Sequence, residues 1–174
     1  MNQAQIAAIS AIVVAFIGFG ATYINNLHSS RRKDRLERVN KQLSDLYGPM
    51  FAITHASSIA WKWFKEAYPV NEETTEQDLS EWRLWMSVVF MPQNERLYDI
   101  ILSKSDLLIE TAMPQSVLDF CAHTVAMQAV IEKWKNRDYA EHYSVARYPR
   151  DIEQYARDSY TRLKAEQGEL LGNK

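Results

Sequence analysis

The hydrophobic positions fall into two regimes. Residues 6–24 form a run of 19 without a charge, IAAISAIVVAFIGFGATYI, and beyond residue 29 apolar and polar positions alternate at helical spacings. At about 1.5 Å of rise per residue the run covers roughly 28 Å, close to the hydrocarbon thickness of a bilayer. The pattern therefore predicts one membrane-spanning helix. The five residues before it, MNQAQ, hold no Lys or Arg, whereas Arg31, Arg32, Lys33, Arg35 and Arg38 follow it. A cleaved signal peptide carries its basic residues on the other side of the run. The positive-inside rule then puts the N-terminus outside and the rest of the chain in the cytoplasm of a bacterial inner membrane, with Arg31, Arg32, Lys33 and Arg35 at the membrane surface.

Beyond the run, Leu36, Val39, Leu43 and Leu46 recur at spacings of three and four, a coiled-coil-like stripe. It packs on its own domain or on a neighbouring subunit; the spacing is the same for both. Gly48-Pro49 is expected to stop or kink the helix, because proline has no donor and disfavours a helical residue before it. Further helices are predicted over 50–68, 76–90 and 92–104, then from Pro114 to about 136, and from near Pro149 onward. In the fourth, Val117, Phe120, Thr124, Met127, Ile131 and Trp134 share a face. In the last, Ile152, Tyr155, Ala156, Ser159, Tyr160 and Leu163 do so. No alternating β-branched run and no internal repeat is present. The expected fold is all-α: an N-terminal transmembrane helix (1–28), a basic juxtamembrane helical stalk (29–47) and a cytoplasmic helical bundle (48–174).

Composition narrows the function classes. With 174 residues, 47% hydrophobic, 24% charged and a net charge of −2, the chain is neither disordered nor a basic nucleic-acid coat. The lone cysteine, Cys121, excludes an internal disulfide. Charge is segregated: residues 1–42 carry six basic and two acidic side chains, and the acidic excess lies beyond them. Within the predicted span, Ala7, Ala11, Ala15 and Gly18 form a small-residue ladder of the kind that lets helices approach closely in lipid, so homo-oligomerisation is expected there. A pore lined by such helices has a mostly apolar wall, with Ser10 and Thr22 its polar candidates, and gates by dewetting.

The candidate chemistry is concentrated in Arg137-Asp138-Tyr139-Ala140-Glu141-His142. Histidine transfers a proton to or from a ribose hydroxyl near neutral pH, and arginine stabilises added phosphate charge. The spacing resembles the R-x4-6-H motif of HEPN domains, helical bundles of this size, many of them metal-independent RNases. A surface role for Arg137 and His142, capping the fourth helix, is the structural alternative. The N-terminal span, the helical domain, the length and the motif together resemble the CRISPR-associated transmembrane accessory proteins. That resemblance implies a membrane pore in antiphage defence, a possible RNA or RNA-guided effector as partner, and Arg137 and His142 as catalytic or merely structural residues. No Cys/His set with metal spacing and no glycine-rich phosphate loop is present, so no metal and no cofactor is expected. Trp82 and Trp85, at i and i+3, suit packing or a partner groove. Three functions remain: a self-assembling membrane effector, a membrane-tethered RNase, and a passive anchor for a protein partner.

Overall fold

The computed structural model describes residues 3–69 and 74–172, with the backbone alone at positions 4–15, 17 and 21. Six α-helices carry the fold: α1 (Gln3–Lys41), α2 (Gly48–Ala67), α3 (Glu76–Trp85), α4 (Met91–Ser103), α5 (Gln115–Lys135) and α6 (Ile152–Leu171). No strand occurs among the described residues. The all-α expectation holds.

Gly48-Pro49 does not stop the helix. A π turn over Gln42–Tyr47 joins α1 to α2, and the Gly48 N–H donates to the Leu43 carbonyl five residues back. The reason is local. Proline removes one donor and its ring presses on the carbonyl four residues earlier, so a turn widened by one residue absorbs both defects without breaking the rod. The same device recurs before Pro92, where a π turn over Met86–Phe90 joins α3 to α4 and Met91 donates to Met86. The expected breaks at 48–49 and 91–92 are thus register slips inside two continuous rods. α3 begins on a capping box, with the Thr75 side chain and Asp78 bonding each other's backbone N–H.

Two apolar clusters show how the rods run. Val39, Leu43, Leu46, Tyr47 and Met50 join Leu97, Ile101, Val117, Phe120, Ile152 and Leu163 in the larger one. Phe64, Met86, Phe90, Met91, Met127, Val130 and Trp134 form the second. α2 and α5 each pass from the first cluster to the second, whereas α4 passes from the second to the first. α6 runs against α1 and α2, with Glu166 at Arg35 and Glu153 at His55. The result is an up-down-up-down bundle. α4 and α6 both pack on α2, and both also pack on α5, which therefore lies diagonally across from α2.

The stripe of Val39, Leu43 and Leu46 is fully or nearly fully buried in the chain's own core, which decides between its two possible uses. The helix expected as a juxtamembrane stalk (29–47) therefore lies along the bundle from about Arg32 onward. Among the described residues no helix is long and apolar enough to cross a membrane. The run expected to do so falls largely on α1 positions whose side chains lie outside the described residues, Ala7, Ala11 and Ala15 among them. Gly18 is exposed on the same helix.

Gly48 is required by close approach: a Cβ there would overlap the Leu43 carbonyl oxygen that its own N–H engages. Gly48→Ala is therefore expected to destabilise the fold by about 1–3 kcal/mol, read as a lower urea midpoint with an unchanged slope.

Candidate functional site

Three polar assemblies hold the bundle's surface features in place. The first ties α1 to the end of α6. Arg35 forms a two-pronged pair with Glu166, its Nη2 donating to Oε2 at 2.8 Å. This bond raises the guanidinium's affinity for its proton and holds the Glu166 carboxyl below the usual range. Arg32 Nε donates to the Leu170 carbonyl at 2.8 Å, capping the negative end of α6 beside the left-handed Gly172. Of the four residues expected at a membrane surface, Arg32 and Arg35 are thus engaged by α6, and Arg31 and Lys33 are exposed.

The second assembly pins the π turn. The fully buried Tyr47 accepts from the Ile109 N–H at 3.0 Å and lies 3.1 Å from the Tyr155 hydroxyl, which donates to Glu110 at 2.9 Å. Burial pushes both phenols up, so both remain protonated donors across the physiological range. Nearby, His55 Nδ1 lies 2.8 Å from Glu153, and Arg157 Nη2 lies 2.7 Å from the same oxygen. The one carboxylate oxygen thus accepts from both side chains, with the His55 proton on Nδ1. Partial burial works against the Glu153 charge, yet hydrogen bonds from His55, Ser58 and Arg157 outweigh it and keep the carboxyl below its ordinary value.

The third assembly is the loop between α5 and α6, which carries the Arg137–His142 motif. Its start is a Schellman turn: the Arg137 N–H reaches the Trp134 carbonyl at 2.9 Å and the Asp138 N–H reaches the Lys133 carbonyl at 3.0 Å. Arg137 occupies the left-handed position of that turn (φ 62°), where glycine is the usual residue. Indole donors then clamp the loop that follows, Trp134 Nε1 to the Glu141 carbonyl at 2.7 Å and Trp82 Nε1 to the His142 carbonyl at 3.0 Å. His123 Nδ1 donates to the Ala146 carbonyl at 2.8 Å, and the Arg83 guanidinium lies 4.3 Å from the Tyr139 ring centroid. Trp82 and Trp85 pack around Phe64, the packing role expected of them.

Arg137 is exposed at the helix end, while His142 is half-buried against α3 with its Nδ1 buried and unpartnered. No hydrogen bond or ion pair joins them among the described residues. Both lie in irregular backbone rather than on one helical face. Among the described residues no group of three His, Cys, Asp or Glu side chains converges as metal ligands do.

Comparison with family models, with curated proteins and with solved structures finds no match for this chain. The resemblance to HEPN domains therefore rests on Arg137, His142 and layout alone. Sequence reasoning missed the Arg35–Glu166, His55–Glu153 and Tyr47–Tyr155 contacts, which join residues roughly a hundred or more positions apart; no local spacing signals them.

Two outcomes are expected. Arg137→Gly relieves left-handed strain and stabilises the fold by about 1 kcal/mol, whereas Arg137→Ala does not, both read by urea unfolding. Burial lowers the His123 pKa below its ordinary 6.5, while its bond to Ala146 works in the opposite direction and does not cancel this. The unfolded chain then binds the extra proton first, so stability is fully present above pH 6.5 and declines as pH falls below it. His123→Gln should flatten the urea midpoint between pH 6.5 and 5 relative to the parent chain.

Proposed function

We propose that this protein is a single-span membrane protein whose copies assemble through α1 and the helical bundle, acting as a pore or membrane-perturbing effector from the cytoplasmic face. The observation that carries the reading is the exposed stretch of α1 that begins at Phe16. Every described side chain from Phe16 to Arg35 is exposed, with Phe16 at 76% and Phe19 at 83%. Some 29 residues, about 43 Å of helix, lie before Arg32, which among the described side chains is where α1 first bonds α6. A lone helix with bare aromatic side chains is unfavourable in water and suits lipid or another protein.

Three further features support it. The 19 uncharged residues sit within this projecting helix, and a basic cluster follows them. Thr22 donates its hydroxyl to the Gly18 carbonyl at 2.8 Å, which leaves that hydroxyl proton satisfied inside the helix as hydrocarbon surroundings demand. The rod continues into the bundle without a flexible joint, so several parallel spans carry their bundles in one layer. In this reading the N-terminus is outside, and Arg31 and Lys33 lie at headgroup level. The alternative of RNA cleavage would rest on Arg137 and His142, which share no hydrogen bond among the described residues.

The test is extraction followed by mass. The full chain should stay with membranes through alkaline carbonate washing, and Val14→Arg, at a cost of about 2.5–3.5 kcal/mol near mid-span, should release much of it. Light scattering of the detergent-extracted protein should give a closed oligomer, and changing Ala7, Ala11, Ala15 and Gly18 together to leucine should reduce its mass. Ion flux across vesicles holding the oligomer tests the pore. A membrane-bound monomer with one stoichiometric partner would favour the passive anchor, and a protein that stays in the wash would sink the reading.

A further inference from the structure

Two helices of the bundle are apolar on the side that faces away from it. On α2, Thr54, Ser57 and Phe64 face inward, while Ala52, Ala56, Ile59 and Trp63 are exposed on the opposite side, Trp63 at 63%. On α5, Val117, Phe120, Thr124 and Met127 face inward, while Leu118, Ala122, Val125 and Ala129 are exposed, Val125 at 50%. Each outer stripe has spacings of four, three and four, the seam of a helix that packs lengthwise on another helix. Among the described residues neither stripe has a partner in its own bundle.

We propose that copies of this chain pack side by side, the outer face of α2 in one copy seated on the outer face of α5 in the next. This rests on the membrane-assembly reading and names its cytoplasmic contact. The partner is a second copy because the two stripes match each other. α2 and α5 run in the same direction, and both pass from the larger cluster to the aromatic one, so the stripes lie at similar heights. Copies whose α1 rods stand parallel in one membrane therefore bring them together parallel and nearly level. In that register Ala52 meets Leu118, Ala56 meets Ala122, Ile59 meets Val125 and Trp63 meets Ala129. Large faces small at both ends, and two β-branched residues meet between. One step further along each helix stand Glu66 and Glu132, which bound the contact to four layers.

Two consequences follow from the geometry. The stripes lie on diagonally opposed helices, so each copy offers one α2 face and one α5 face, and the contact is head-to-tail. Such a contact closes into a ring or extends as a row; it does not stop at a dimer. The seam is also small, a strip roughly 17 Å long and about 10 Å wide, well short of the roughly 800 Å² per partner of a stable interface. It holds when a second tether confines the copies, and α1 in the membrane is that tether.

Cysteine cross-linking in membranes tests this with the full chain. Cys121→Ala removes the native thiol, and Ala56→Cys with Ala122→Cys places one thiol on each face. Oxidation of this variant should give a ladder of dimer, trimer and higher species. Chains carrying only Ala56→Cys mixed with chains carrying only Ala122→Cys should give dimers and nothing larger. Dimers from Ala56→Cys alone would mean that α2 pairs with α2, and would overturn the proposal. No covalent species from the double variant, in a preparation whose light scattering still shows an oligomer, would overturn it while leaving assembly through α1 intact. A monomer by light scattering would remove both.

Discussion

The packing of the second half of α1 into the bundle is the constraint on which the rest depends. Val39, Leu43, Leu46 and Tyr47 are buried at the centre of the larger cluster, and the same rod carries the bare aromatic side chains of Phe16 and Phe19 outward. One element is thus core and projection together. Whatever holds the outer half of α1 also orients the bundle, because the helix between them is uninterrupted and Arg32 and Arg35 bind α6 beside the junction. A flexible stalk would leave the bundle free to tumble. A rod that is itself part of the core does not.

The two π turns protect that continuity. Proline at 49 and at 92 would each break a rod, one at the start of α2 and one at the start of α4. Widening one turn keeps the axis going and rotates the side chains that follow, which leads Met50 into the larger cluster and Met91 into the aromatic one. Tyr47, at the end of the first π turn, is then fixed by Ile109, Tyr155 and Glu110. Loss of this network would loosen the one joint at which projection, core and α6 meet.

The loop after α5 shows how a motif changes meaning in three dimensions. Arg137 and His142 stand five positions apart, a separation that on a helix would bring them within a turn and a half of each other. The Schellman turn at Arg137 ends the helix, and indoles from Trp134 and Trp82 then hold the irregular chain that follows. The left-handed arginine remains the loop's local oddity, since glycine would fit there without strain. Spacing and layout carried the resemblance; in the fold Arg137 and His142 stand in the irregular backbone between α5 and α6.

Much of the fold was legible because helical burial is periodic. The inner stripes of α5 and α6 and the boundaries near Thr75, Pro114 and Asn136 follow from spacing and capping, which are properties of neighbouring residues. The apolar run before residue 25 and the basic cluster after it are likewise plain in the chain itself. Less legible was that α2 and α5 each keep a second apolar side outward. Ala52, Ala56, Ile59 and Trp63 on α2, and Leu118 and Val125 on α5, are as apolar as their inward neighbours. Only the placement of α4 and α6 between α2 and α5 decides it. The same holds for Arg35 with Glu166 and His55 with Glu153, pairs made by the antiparallel course of α6. Local pattern determined the helices and their polarity; long-range packing decided which surfaces were used up and which were left for a neighbour.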